Sequence, residues 1–395
     1  MHTLTRCRQS ALFALLLLSA QTSLSQEAKT SFSVPNQPAN MVDPSAPNSK
    51  TRVEVDEEKK SWLPENVVIL PIPSREPVFG WGLELMGGVF LDLDKDNPDT
   101  PPSQVGAAVS YSENDTWYAG TGGAFNLFND NLRLEAAMFY GEINYRFWGT
   151  GSDAGSQDEY ADVKQKIPVI YATAKYQILN NTYLGLGYIG GKTDTTLKLN
   201  ATELPPGFDT IEEKTQLGAI DVPFQYDSRD NQMYPRTGTL VNADAILYRE
   251  SVGSDFNAET YSIGANKYVT MRETDVLAFR AWTSYTDENA PFYLQSSIGG
   301  RQDMRGYEFG RYIDRVAYTL QSEYRWQFHE SWIATGFVGV GGVGNDYGDI
   351  FKDPLPAAGV GGRYMLNSAY NVTLAVDVAY GKNGGVYYFT IGEAF

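Results

Sequence analysis

A transmembrane antiparallel β-barrel of about sixteen strands is the fold this chain predicts, an all-β class with one inward-folded loop before strand twelve. Three observations carry it. From about Asn66 onward, apolar and polar residues alternate with period two, the pattern of a strand with two unlike faces. Many of these runs reach roughly ten residues, whereas soluble strands average about five to six and roughly ten tilted residues cross a bilayer. Short turns trade off with longer polar loops, as in barrels with short periplasmic turns and long external loops.

The opening, "MHTLTRCRQSALFALLLLSAQTSLSQ", has a basic start at Arg6 and Arg8, an apolar run from Ala11 to Ala20 and small residues at Ser23 and Ser25. That spells a signal peptide over residues 1–25; the apolar run is about half the ~20 residues of a spanning helix. Cys7, the only cysteine, lies in its basic part, so the exported chain is expected to have no disulfide or thiolate site. Residues 26–65 are rich in Pro, Ser, Asn and charge, a composition that predicts a mobile periplasmic linker. The barrel is expected over 66–395.

The strands predicted in order are 66–73, 79–93, 103–112, 116–128, 131–148, 165–179, 183–196, 213–226, 238–250, 256–269, 274–288, 315–328, 332–344, 357–366, 370–381 and 385–395. "RVAYTLQSEYRWQF" is the clearest: Val316, Tyr318, Leu320, Tyr324, Trp326 and Phe328 share one face, and Thr319, Gln321, Glu323 and Arg325 the other. "YNVTLAVDVAY" sets Val372, Leu374, Val376 and Val378 against Asn371, Thr373 and Asp377. The first segment, "NVVILPIP", is weakest: Pro71 and Pro73 cannot donate to a ladder, which restricts it to an edge. Turns fall at 129–131, 180–182, 329–331 and 367–369, and longer loops at 149–163, 197–213 and 344–356.

Composition removes several function classes. Without residues 1–25 the chain has 29 basic and 48 acidic side chains, net −19, which argues against a nucleic-acid partner. A negative mean hydropathy and no later long apolar run exclude a helical membrane bundle. Catalysis is not expected: His329, the one histidine of the exported chain, sits at a turn tip that cannot exclude water. The acids Asp92, Asp94, Asp96 and Asp99 lack the glycine and closing glutamate of a calcium loop and read as a hydrated turn. Neither a metal nor a cofactor is expected, and no phosphate loop or dinucleotide fingerprint is present.

Three motifs stand out. "GGRQDMRGYEFGRY" (299–312) interrupts two alternating runs where a two-residue turn would suffice, with Arg305, Gly306 and Tyr307 at its middle. "YDSRDNQMYPRTGT" (226–239) carries Asp227, Arg229, Asn231, Pro235 and Gly238, and "YFTIGEAF" closes the chain with Phe389, Ile391, Gly392 and Phe395. In this order they resemble the BamA/TamA superfamily of outer-membrane assembly and translocation barrels, also called bacterial surface antigens, over about 66–395.

The resemblance implies a loop folded into the barrel, its arginine paired with acids on the facing wall; Glu323 aligns with one of these. A second family acid, in a G-F-x-D-x-G pattern, meets "GFVGVG", with Gly339 at its place, so the lock is expected either to be single-sided or to borrow another acid, for which Asp377 is a candidate. The plainer reading is a surface loop whose arginine meets lipopolysaccharide phosphate. For Asp227, Arg229 and Asn231 it is a turn set by Asx, Pro and Gly conformation. The ending resembles the signal by which the barrel assembly machinery inserts a barrel.

The resemblance also implies a poorly paired seam between first and last strands that opens sideways and hands a client strand into lipid. Pro71 and Pro73 on one side and Gly384, Gly385 and Gly392 on the other would weaken it. The alternative is that the prolines belong to a lead-in and the barrel closes normally. A cysteine pair at Ile69 and Thr390, with neighbouring registers scanned, is the sequence-based choice for bridging the seam. One departure concerns the polypeptide-transport-associated repeats that precede the barrel in BamA and TamA, for which 26–65 has no room.

The expected function is therefore insertion or translocation of polypeptide or lipid in the bacterial outer membrane, and the alternative is a passive porin constricted by the loop at 289–313. The expected partners are outer-membrane lipid, lipopolysaccharide, the assembly machinery and an unfolded polypeptide client.

Overall fold

The computed structural model describes residue 64 and residues 66–76, 78–94, 100–199, 210–231, 234–272, 274–300, 303–367 and 372–395. The expected signal peptide and nearly all of the expected linker lie outside the described residues.

Sixteen strands form one antiparallel sheet in which each pairs with its neighbours in sequence. They are β1 (Val67–Glu76), β2 (Gly80–Leu91), β3 (Ser103–Ser112), β4 (Trp117–Leu127), β5 (Leu132–Phe147), β6 (Ala161–Leu179), β7 (Thr182–Leu199), β8 (Thr210–Asp227), β9 (Gly238–Tyr248), β10 (Ala258–Thr270) and β11 (Val276–Thr286). The wall continues through β14 (Val316–His329), β15 (Trp332–Gly344), β16 (Leu355–Asn367), β17 (Val372–Gly381) and β18 (Gly384–Ile391). A separate two-stranded ribbon, β12 (Ser296–Ile298) with β13 (Tyr312–Asp314), lies in the loop between β11 and β14. A one-turn helix, α1 (Ser152–Ser156), interrupts the β5–β6 loop.

Period two explains the wall. On β14, Leu320, Tyr324, Trp326 and Phe328 point outward, while Thr319, Gln321, Glu323 and Arg325 are buried inside. On β6, Ile170, Tyr176 and Ile178 are exposed outward and Thr173 and Lys175 face in. An apolar exterior about 25 Å tall around a polar interior is the requirement of a barrel in lipid. β6, β7 and β8 run past that band, and their upper ends carry a cross-strand charge row, Glu142–Lys166–Asp194–Lys214. Lys166 and Glu142 are 3.7 Å apart and Lys214 and Asp194 3.3 Å, pairs that belong in water rather than hydrocarbon.

Two sequence expectations need correction. The last strand does not reach 395: it ends at Ile391, because Gly392, with φ +74°, turns the chain inward. The alternation of short and long connections is also incomplete. The β2–β3 and β8–β9 connections are long on the side of the short turns, and β3–β4 and β17–β18 are short on the other.

The loop between β11 and β14 packs against inward-facing wall residues. Upstream of the "RGY" stretch, Ala290 and Leu294 enter an apolar cluster with Phe139, Ile143, Ile167, Ile189 and Tyr248. Phe292 packs on Phe147 with ring centroids 4.3 Å apart and the rings tilted by 38°. The loop therefore rests on the β4–β9 wall with one half and on the opposite wall with the other.

Candidate functional site

The second half of the loop places Arg305 at the centre of a buried charge network. Its Nη1 donates to Asp377 Oδ2 at 3.0 Å, and its Nη2 lies 2.6 Å from Glu323 Oε2, close but poorly aligned for a hydrogen bond. The guanidinium sits 3.4 Å from the Phe337 ring centroid, a cation–π contact from the same "GFVGVG" stretch that lacks the expected acid. Glu323 comes from β14, the twelfth wall strand, and Asp377 from β17, so one guanidinium ties two non-adjacent strands through two carboxylates.

Each carboxylate is shared. Arg325 Nε donates to Glu323 Oε1 at 2.8 Å, and Arg363 Nη1 and Nη2 donate to Asp377 at 2.6 and 3.2 Å. Arg363 Nε donates to Glu393 Oε2 at 3.0 Å, and that carboxylate lies 3.7 Å from Arg325 Nε. Three arginines thus face three side-chain carboxylates. The sharing matters because each buried ion costs several kcal/mol of desolvation that only close, multiply bonded partners offset. Gly361 makes the space: a Cβ there would fall 1.8 Å from Asp377 Oδ1.

Gly339, where the family resemblance implies an acid, faces the loop. A Cβ at this position would meet Gln321 Cγ at 3.0 Å and Met304 Sδ at 3.2 Å. Met304 fills the volume an aspartate would take, and it does so with φ +140°, a strained value for a side-chain-bearing residue. The next residues anchor the loop tip. Gly306, at φ +106°, donates its N–H to Tyr388 Oη of β18 at 3.0 Å. Tyr307 is buried, and its hydroxyl donates to the Pro356 carbonyl at 2.6 Å and accepts from Lys382 N at 3.1 Å.

The other two motifs converge on the same place. Asp227 and Arg229 pair at 2.8 and 2.9 Å, Asn231 Oδ1 accepts from Tyr234 N at 2.7 Å, and Arg325 Nη1 donates to the Pro235 carbonyl at 3.4 Å. A Cβ on Gly238 would strike Ser228 O at 2.2 Å, so the turn admits only glycine. At the chain's end, Arg325 Nη2 donates to Phe395 O at 2.6 Å, and the Phe395 ring is buried inside the barrel with Tyr268, Val276 and Ala278. Phe389 instead meets Trp81 across the seam, so Phe389 and Phe395 do not lie on one surface as a continuous last strand requires. Gly384 and Gly385 stand at the β17–β18 turn.

The seam lies between β1 and β18, which no ladder joins. Phe90 N donates to Asn66 O, which fixes the parity of β1: even residues bond β2, and odd residues, Pro71 and Pro73 among them, turn their backbone toward the seam. Gly392 N bonding Thr373 O likewise turns Gly385, Tyr387 and Phe389 to the seam. The cysteine pair expected at Ile69 and Thr390 would not meet: Ile69 is exposed outward, whereas position 390 shares the inward parity of buried Tyr388.

Comparison with known proteins agrees with the barrel fold. The family model of the Omp85 superfamily domain matches residues 98–395. This chain belongs to the Omp85 superfamily. Among solved structures, BamA from Haemophilus ducreyi lacking POTRA domains 1–3 has a similar fold, with a TM-score of 0.58 at 15% identity over 83% of this chain and 70% of that one. CdiB from Acinetobacter baumannii gives 0.54 at 14% identity and CdiB from Escherichia coli 0.55 at 10%, each over 83% of this chain. The chain spans 60% and 63% of those two proteins, less than two thirds of their length. No curated protein sequence matches it. Membership places the barrel in the bacterial outer membrane, in a family whose general work is at that membrane.

Beyond the motifs that resemble the Omp85 family, the sequence reading missed Arg280, Asp303, Arg363 and Glu393. Arg280 Nη2 and Nε donate to Asp303 at 2.5 and 3.2 Å, a second ion pair two residues before Arg305 and of reversed polarity. Its only sequence signal is an inward-facing arginine on β11, which no local pattern pairs with a loop acid. Among the described residues, no group of His, Cys, Asp and Glu is arranged to hold a metal.

Proposed function

We propose that this Omp85 barrel inserts or translocates polypeptide through its β1–β18 seam rather than through its lumen. The observation that carries this is the unladdered seam edge, where Pro71 and Pro73 remove donors from the β1 side. A free strand edge is a template for β-augmentation by an incoming strand. The loop supports the same reading, since it is held inside the barrel by apolar contacts on one wall and by Arg305 on the other. In this reading the Arg305 network holds the plug, export follows a signal peptide over 1–25, and the partners are outer-membrane lipid, lipopolysaccharide, the assembly machinery and an unfolded client. No covalent catalysis is involved.

The test is a disulfide between Pro73→Cys and Phe389→Cys, both outward on the seam, with adjacent registers scanned in a Cys7→Ser background. Oxidised protein in liposomes should lose insertion of an added unfolded barrel polypeptide, and reduction should restore it. Full activity of the oxidised form would defeat the proposal. A large, steady conductance in planar bilayers would favour the passive porin instead.

A further inference from the structure

Where the ladder is missing, the two sides of the seam still touch through side chains. Arg75, on the β1 edge, places its guanidinium 5.3 Å from the Trp81 ring centroid on β2 and 5.2 Å from the Tyr387 ring centroid on β18. Trp81 and Phe389 then meet at 5.9 Å between centroids, tilted by 42°. Both distances to Arg75 fall within the ~6 Å reach of a cation–π contact.

We infer that Arg75 is the clasp of the seam, a positioning residue that holds β18 against the β1–β2 hairpin by cation–π contact and sets how often the edge opens. The inference rests on the seam being the working route. Chemistry favours such a clasp over hydrogen bonds. Pro73, two residues earlier and on the same edge, has no N–H to offer, whereas a planar guanidinium engages a ring face without needing a ladder register. The contact is also reversible: it breaks without leaving an unpaired backbone group, so opening costs far less than unzipping a strand pair. Its position fits, because Arg75 pairs with Trp81 beside the Glu76–Gly80 end of the hairpin, at the margin of the apolar band. There the charge is near water in the open state.

The measurement is a distance distribution between spin labels at Ile69 on β1 and Val376 on β17, both facing outward, with the barrel in lipid vesicles. Arg75→Met keeps most of the apolar stem and removes the charge. It should raise the long-distance population about five- to thirtyfold, the effect of losing contacts of this class. Arg75→Lys, with a more hydrated and non-planar charge, should fall between. Adding Tyr387→Leu to Arg75→Met should widen the seam no further than Tyr387→Leu does alone.

An unchanged distribution in Arg75→Met, or independent addition of the two substitutions, overturns the clasp. Heat-modifiable migration verifies folding of each variant, and Tyr387→Leu carries the test if Arg75→Met does not fold. If Arg75→Met widens the seam while the disulfide-locked barrel keeps its activity, the clasp stands and the seam's role in transport falls.

Discussion

Arg305 and Asp377 hydrogen-bond at 3.0 Å across 72 residues of chain, joining a loop tip to the strand before last. With Glu323 on the other side of the same guanidinium, the pair spans the β14–β17 wall. Removing Arg305 leaves two carboxylates in a buried network that is then short of positive charge. Arg305→Ala should lower barrel stability by about 3–5 kcal/mol, and Arg305→Lys should not restore it, since a point charge cannot bond two carboxylates through a fork. The temperature at which the folded band is lost in detergent gels reads this. A wild-type value for Arg305→Ala would sink the idea.

Gly339 gives a second prediction. Gly339→Asp introduces a carboxylate where Met304 Sδ already sits 3.2 Å from the added Cβ, and it adds a negative charge beside the buried network. The single substitution should destabilise by roughly 1–3 kcal/mol, the usual cost of overpacking. Met304→Ala in the same chain should recover part of it. If Gly339→Asp stabilises the barrel on its own, the loop has more slack than Met304 implies.

The Arg280–Asp303 pair should act independently of Arg305 because it grips β11 instead. Arg280→Ala and Asp303→Ala should each make the loop more susceptible to trypsin, and the double variant should be little worse than either alone. Additive effects in that cycle would show that the two side chains do not work as a pair.

Glu308 makes the loop pH-dependent. Burial pushes its carboxyl up to about 7, against the opposing pull of Arg146 and Arg311. The docked loop therefore binds this proton more tightly than the released loop, whose carboxyl titrates near 4.5. Docking contributed by Glu308 is full below that lower value and is lost as pH rises through about 7. Hydrogen exchange of the 303–312 backbone should show weaker protection at pH 8 than at pH 5 after correction for intrinsic rates. Glu308→Gln should flatten the difference, and an equally steep profile in that variant would assign the effect elsewhere.

The strands were legible because their cause is local. A wall between lipid and a polar lumen imposes period two on every crossing, so β3 and β15 could be bounded to the residue from the sequence. β6 and β8 extend beyond their alternating apolar runs because their charged upper ends no longer meet lipid and lose the apolar face that marks a strand in sequence. Arg305, Glu323 and Asp377 could be named from a motif and from inward parity.

What the sequence by itself determined is thus the barrel, its strand number and the residues that stand on each face. Only the tertiary structure decided which of the inward charges meet. Arg305 takes Asp377 as well as Glu323, Arg363 and Glu393 complete the network, Arg280 finds Asp303, and Phe395 turns inside while Phe389 stays at the seam. The physical reason is that alternation is written along one strand, whereas a contact across the lumen depends on the register of every strand between its partners. A one-residue slip anywhere in that wall would send the same charges to different neighbours or to lipid.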